Sequence, residues 1–195
     1  MLLRKNAALV VIDVQKGFDE KVWGERNNPE AEERIACLLE AWRERGLPVI
    51  HTQHMSVESD SPLRPGQPGC EIKDIAAPHP GEAVFQKTVN SAFIGTGLQD
   101  YLNEQGIDTL VITGLITPHC VSTTARMSSN LGYRTLVVSD AAAAFDITGP
   151  DGIRHGAAEV HSLALAELHR EFAVIASTEE IIRMLPTEKL PVSGK

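Results

Sequence analysis

Clusters of basic residues are missing from this chain of 195 residues, in which 18 Lys and Arg stand against 26 Asp and Glu for a net charge of −8. Without a Lys/Arg stripe, binding to nucleic acid or to an anionic membrane surface is not expected. Long apolar runs are missing too, so no membrane span is expected. Leu2-Leu3-Arg4-Lys5-Asn6 is too short and too polar for a signal peptide. Cysteine is scarce: Cys37, Cys70 and Cys120 are odd in number and far apart. That spacing excludes a disulfide framework and a zinc knuckle and points to a reducing, cytoplasmic setting. There is no internal repeat and no linker, so residues 1–195 read as a single α/β domain with a full core.

What is present is an alternation of short apolar strands and amphipathic helices. Strands are expected at Ala7–Ile12, Pro48–Thr52, Ala83–Gln86, Thr109–Thr113, Arg134–Ser139 and Phe172–Ala176. Helices are expected at about Pro29–Arg45, Phe93–Gln105, Val121–Leu131, Ile153–His169 and Thr178–Leu185, with a polar, frayed tail from Pro186 to Lys195. Strands that are apolar throughout need cover on both sides. The expectation is a three-layer sandwich, a mostly parallel six-stranded sheet with helices on both faces. Residues 55 to 82 are rich in proline and long for a plain loop, which suits a wall or lid of a site. Cys37, beside Ile35, Leu38 and Leu39, reads as core, and Cys70 reads as incidental.

Cys120 carries the most information. It ends Gly114-Leu115-Ile116-Thr117-Pro118-His119-Cys120, which follows the Thr109–Thr113 strand and opens a helix. Thr117 suits an N-cap and Pro118 the first helical position. The positive end of a helix favours thiolate over thiol. The alternative is a small buried hydrophobe, as most free cysteines are. Open α/β sheets bind ligands beyond the carboxyl ends of their strands, where Asp13, His51, Lys87, Cys120 and Asp140 also fall. Asp13 as general base, Lys87 as positive charge and Cys120 as nucleophile make a workable set. A structural Asp13–Lys87 ion pair beside an inert thiol is the other reading.

Three segments then carry a specific resemblance. Val10-Val11-Ile12-Asp13-Val14-Gln15-Lys16-Gly17-Phe18, Phe85-Gln86-Lys87-Thr88-Val89-Asn90-Ser91-Ala92-Phe93 and Gly114-Leu115-Ile116-Thr117-Pro118-His119-Cys120 resemble the three motifs of the isochorismatase-like cysteine hydrolases. The resemblance covers about residues 7 to 180. It implies an Asp13–Lys87–Cys120 triad and a cis peptide at Leu115–Ile116. It also implies an oxyanion hole made by the backbone N–H groups of Ile116 and Cys120. A Thr117 cap on the Cys120 N–H would compete with that last role, and Thr117–Pro118 is a second candidate for a cis bond.

Family members cleave amide, lactam or ureido C–N bonds through a cysteine, whereas isochorismatases cleave a vinyl ether, some without that cysteine. Cysteine at 120 favours a C–N hydrolase of a small amide, with a thioester intermediate. The rivals are a vinyl ether hydrolase and a non-catalytic or redox-responsive binding protein. Nicotinamidases of this family bind a metal through Asp-x-His and a further His. Here the stretch reads Thr52-Gln53-His54-Met55-Ser56, an incomplete set, so no metal and no other cofactor is expected.

Trp23-Gly24-Glu25-Arg26-Asn27-Asn28-Pro29 resembles the subgroup that includes streptothricin hydrolase. On that basis Phe18 and Trp23 are expected to line the pocket, with Asn27 or Asn28 as amide donors, although Trp23 also suits a subunit contact. Phe93 is a further wall candidate unless it starts a helix, and His119, beside Cys120, suits either a substrate contact or a dimer interface. A homodimer or higher homo-oligomer follows from the resemblance alone. His155, His161 and His169 lack a clean metal-ligand spacing and read as solvated or interface residues. Glu159 and Glu167 read as surface residues, and Asp140 as a backbone-fixing group.

Overall fold

The computed structural model describes residues 2–186. The expected polar tail lies outside them, apart from Pro186. Six strands form one sheet: β1 (Ala7–Ile12), β2 (Val49–His54), β3 (Ala83–Lys87), β4 (Thr109–Leu115), β5 (Arg134–Ala143) and β6 (Val174–Ala176). All neighbouring pairs are parallel, in the order β3-β2-β1-β4-β5-β6. Every residue of β1 and β4 is buried, as their unbroken apolar composition requires of strands covered on both sides.

Five α-helices supply that cover. Helices α1 (Ala31–Glu44) and α5 (Thr178–Met184) pack on the face that carries Ala7, Leu9 and Val11. Helices α2 (Leu98–Glu104), α3 (Ser122–Asn130) and α4 (Ala157–Leu168) pack on the face that carries Ala8, Val10 and Ile12. The alternation along β1 therefore divides the core in two. Trp42, fully buried on α1, donates its indole N–H to the Ala7 carbonyl at 3.1 Å and pins α1 to the central strand. Helix α5 begins with a capping box in which Ser177 and Glu180 satisfy each other's backbone N–H groups.

Several boundaries shift from the sequence reading. Helix α2 starts at Leu98, because Ser91 to Gly97 wraps as turns beside the site instead of starting the helix at Phe93. Helix α4 starts at Ala157, because Ile147–Thr148 and Arg154–His155 pair as a short antiparallel ribbon. Cys37 is exposed, not core: it lies just off the apolar stripe that buries Ile35, Leu38 and Leu39. His161 is buried, not solvated: its ring bonds the Thr117 hydroxyl at 2.8 Å and contacts Asn28 Nδ2 at 3.4 Å.

The strand order reverses direction between β1 and β4, and a crevice opens there beyond the strand ends. Gly114 makes the close approach of those two strands possible. Its φ is +118°, and a Cβ placed on it would lie 2.1 Å from the Ile12 carbonyl oxygen. No other residue fits that space.

Candidate active site

Asp13 leaves β1 in the left-handed region, with φ +49°. Its N–H donates to the backbone and hydroxyl oxygens of Thr52, each at 3.2 Å, on the neighbouring strand. The Thr52 hydroxyl donates back to Asp13 Oδ1 at 2.6 Å. One carboxylate oxygen is thus committed to the scaffold. The other, Oδ2, lies 2.5 Å from Lys87 Nζ, yet makes no aligned hydrogen bond. It is the oxygen left to exchange a proton.

Lys87 is the last residue of the edge strand β3 and pairs in register with His54 of β2. Besides Asp13, its ammonium lies 3.3 Å from Cys120 Sγ, 3.3 Å from His54 Nδ1 and 3.2 Å from the Val89 carbonyl. An ammonium only donates, so His54 Nδ1 is the acceptor and the ring proton sits on Nε2. Burial lowers the His54 pKa, and the Lys87 charge lowers it further.

Cys120 is brought to the same point from β4. Thr117–Val121 forms a single π-helical turn ahead of α3, and the Leu115–Ile116 peptide before it is cis. Thr117–Pro118 is not among the cis bonds. Ile116, not Thr117, occupies the N-cap position, and the Thr117 hydroxyl is spent on His161. That removes the competition for the Cys120 N–H. The helix start does not make Cys120 a resting thiolate, contrary to the sequence reading. Burial pushes its thiol up and the Asp13 charge adds to that, while Lys87 only partly offsets them, leaving the pKa at about 12.

Asp13, His54 and Cys120 each offer a potential ligand atom within 4.8 Å of the others. Their arrangement does not suit a divalent cation. The Lys87 ammonium lies within 3.3 Å of all three and supplies the positive charge itself.

Above Cys120 lies a cavity of about 90 Å³. Phe18, Trp23, Leu63 and Ile116 give its apolar walls, and His54, Asn90 and His119 its polar edge. Of the residues expected at a pocket, Phe18, Trp23 and His119 line this cavity. Trp23 packs within this chain, its ring 5.0 Å from Phe18 and 6.0 Å from Phe145, with its indole N–H on the Gly17 carbonyl.

Two residues expected at the pocket are elsewhere. Asn27 Oδ1 accepts the Ala144 N–H at 2.7 Å and ties a loop to the end of β5. Phe93 stacks on Tyr133, with ring centres 5.8 Å apart. One strand-end candidate falls away: His51 points to the other side of β2, against Glu82 at 2.9 Å. Asp140 fixes backbone, as expected of it, by accepting from the Thr178 N–H and hydroxyl.

Sequence reasoning passed over Leu63 and Asn90 and weighed His54 only as a metal ligand. The signal for His54 was strand parity: it shares a face with Thr52, which bonds Asp13. Asn90 Oδ1 lies 3.8 Å from Cys120 Sγ, three residues after Lys87. Leu63 comes from the long 55–82 segment and had no local signal.

An isochorismatase domain model matches residues 7–180. The chain belongs to the isochorismatase family. The uncharacterized isochorismatase family protein YrdC of Bacillus subtilis is 50% identical over 180 residues, 92% of this chain and 96% of that one. The crystal structure of a putative hydrolase of the family from Chromobacterium violaceum is 43% identical. It covers 94% of this chain and 96% of that one, with a TM-score of 0.91. Streptothricin hydrolase of Streptomyces noursei is a more distant relative, 34% identical over 77% of this chain and 60% of its own length.

The family includes amidohydrolases. Maleamate amidohydrolase of Pseudomonas putida is 28% identical over 80% of this chain and 74% of that one. Nicotinamidase 3 of Arabidopsis thaliana is 27% identical over 93% and 89%. Among the described residues, no helix is long and apolar enough to cross a membrane.

Proposed function

We propose that this isochorismatase-family protein is a cysteine hydrolase that cleaves a C–N bond of a small amide, lactam or ureido compound. The observation that carries the reading is the buried contact set around Lys87, with Asp13 Oδ2 at 2.5 Å and Cys120 Sγ at 3.3 Å. A structural ion pair needs no thiol on its third side and no cavity above that thiol.

The chemistry follows from the two unequal oxygens of Asp13. As Sγ attacks the carbonyl carbon, the thiol proton passes to Asp13 Oδ2 and an S–C bond forms. The backbone N–H groups of Ile116 and Cys120 hold the oxyanion, a contribution of about 3–4 kcal/mol per donor in other hydrolases. Asp13 then returns the proton to the nitrogen as the C–N bond breaks. Water, deprotonated by Asp13, hydrolyses the thioester and restores the thiol. Lys87 holds Asp13 Oδ2 at 2.5 Å and, 3.3 Å from Sγ, steadies the sulfur as it loses its proton.

Free thiols at Cys37, Cys70 and Cys120 support a reducing cytoplasm as the working compartment. Family membership supports one catalytic unit per chain and a homo-oligomeric assembly.

The test is release of ammonia or amine from small amides, lactams and ureido compounds by wild type and Cys120→Ala in parallel. Turnover that disappears in Cys120→Ala supports the reading. Equal release by both proteins removes Cys120 as nucleophile, and carbonyl products from a vinyl ether without amine release favour the rival chemistry.

A further inference from the structure

We infer that this cavity selects amides whose acyl group is small and uncharged. The inference rests on the cysteine-hydrolase reading above.

Size is the first constraint. A cavity of about 150 Å³ encloses a six-carbon ring, so the about 90 Å³ above Cys120 takes about four non-hydrogen atoms. The walls have little room to yield. Phe18, Leu63 and Ile116 are buried at 4–6% exposure. Trp23 is fixed by its indole hydrogen bond of 2.8 Å to Gly17 and by Phe18 and Phe145 on its faces. An acyl group of about isobutyryl size fits this space, with the leaving nitrogen directed to the mouth at Asn90 and His119. An aromatic acyl group does not fit.

Charge is the second constraint. Among the described residues that line the cavity, none is Lys or Arg. Lys87, just beneath, is matched by Asp13 at 2.5 Å with both side chains wholly buried. The surrounding protein lowers the pKa of both His54 and His119, so neither supplies a cation at neutral pH. A substrate carboxylate would enter beside the Asp13 carboxylate with no unmatched positive charge to meet it, an arrangement that is unfavourable in a buried site. The polar contacts on offer are neutral: the Nε2–H of His54, fixed by Lys87 on the other ring nitrogen, and the carboxamide of Asn90.

The experiment compares kcat/KM for isobutyramide, malonamate and benzamide by ammonia release. Malonamate has one non-hydrogen atom more than isobutyramide and adds a charge, so isovaleramide, its neutral match in size, is run beside it, whereas benzamide adds bulk alone. The expected result is a preference of at least tenfold for isobutyramide over malonamate and benzamide, with Trp23→Ala shifting the ratio toward benzamide. Equal or better turnover of malonamate or benzamide by the wild type overturns the inference.

Labelling of Cys120 by p-nitrophenyl acetate in a Cys37→Ser protein, which lacks the exposed thiol, read by peptide mass mapping, separates the two claims. Failure to label Cys120 removes the cysteine-hydrolase reading and the inference with it. If Cys120 labels but no amide turns over, protection from labelling decides. Protection by isobutyramide and not by malonamate supports the inference, and any other pattern overturns it.

Discussion

Lys87 Nζ and Asp13 Oδ2 lie 2.5 Å apart, and neither side chain meets solvent. The pair joins the edge strand β3 to the central strand β1 across β2, with Thr52 holding the second carboxylate oxygen. Removing one member of a buried pair strands the other charge and costs about 3–5 kcal/mol. Lys87→Met and Asp13→Asn are each expected to lose stability of that order in urea denaturation. The double variant should lose clearly less than the sum. Strict additivity would mean that the two charges do not depend on each other.

The thiol of Cys120, pushed up to about 12 by burial and by Asp13, gives a pH signature. In a Cys37→Ser protein, which removes the exposed competitor, iodoacetamide modification of Cys120 should rise about tenfold per pH unit between pH 7 and 10. Asp13→Asn removes the negative charge beside the sulfur, so alkylation should quicken at fixed pH even as turnover is lost. Peptide mass mapping reads both. A rate already flat above pH 7 would show a resting thiolate and contradict this account of the site.

Two carboxyls govern the acid limit of stability. Burial pushes Glu32 up, but Arg26 and Lys73 outweigh it and hold its pKa at about 2. Burial likewise opposes Glu82, while Arg43, the His79 N–H and His51 bring it to about 2. A depressed carboxyl stabilises the fold above its unfolded pKa, and that contribution is lost as pH falls toward the folded value. Stability should therefore drop between about pH 5 and pH 2, by about 2–3 kcal/mol for each group. Glu82→Gln should flatten that part of a stability–pH curve. An unchanged acid limb would show that Glu82 titrates alike in both states.

Gly114 has no tolerated substitute. A Cβ there meets the Ile12 carbonyl oxygen at 2.1 Å in a backbone conformation with φ +118°. Gly114→Ala forces β1 and β4 apart at the site, and a loss above about 4 kcal/mol is expected. Circular dichroism and recovery of soluble protein report it. A variant that melts like the wild type would show that this strand pair can shift.

Much of this was legible in the sequence because burial on both faces leaves a strong mark. The unbroken apolar runs of β1 and β4 announced parallel strands covered on both faces, and the segments that follow them hold Asp13 and Cys120. What was not legible depended on direction and on distant partners. His51 and His54 lie three residues apart on β2 and face opposite sides, one toward Glu82 and the other toward Lys87. Asn27 looked free to meet a substrate, yet the end of β5 claims it. Cys37 sat among apolar neighbours but one step off the buried stripe. Thr117 looked like a cap, but a π-helical turn and His161, 44 residues away in sequence, took its hydroxyl. Leu63 reaches the cavity from a segment with no periodicity to read.

The central claim is that Cys120 forms a thioester as the C–N bond breaks. Rapid acid quench of the enzyme during turnover of a small amide, followed by peptide mass mapping, tests it most directly. The account predicts the acyl mass on the peptide that contains Cys120, removed by hydroxylamine and absent from Cys120→Ala. Full turnover with no acyl mass on Cys120 at any quench time, and with Cys120→Ala still active, would contradict it.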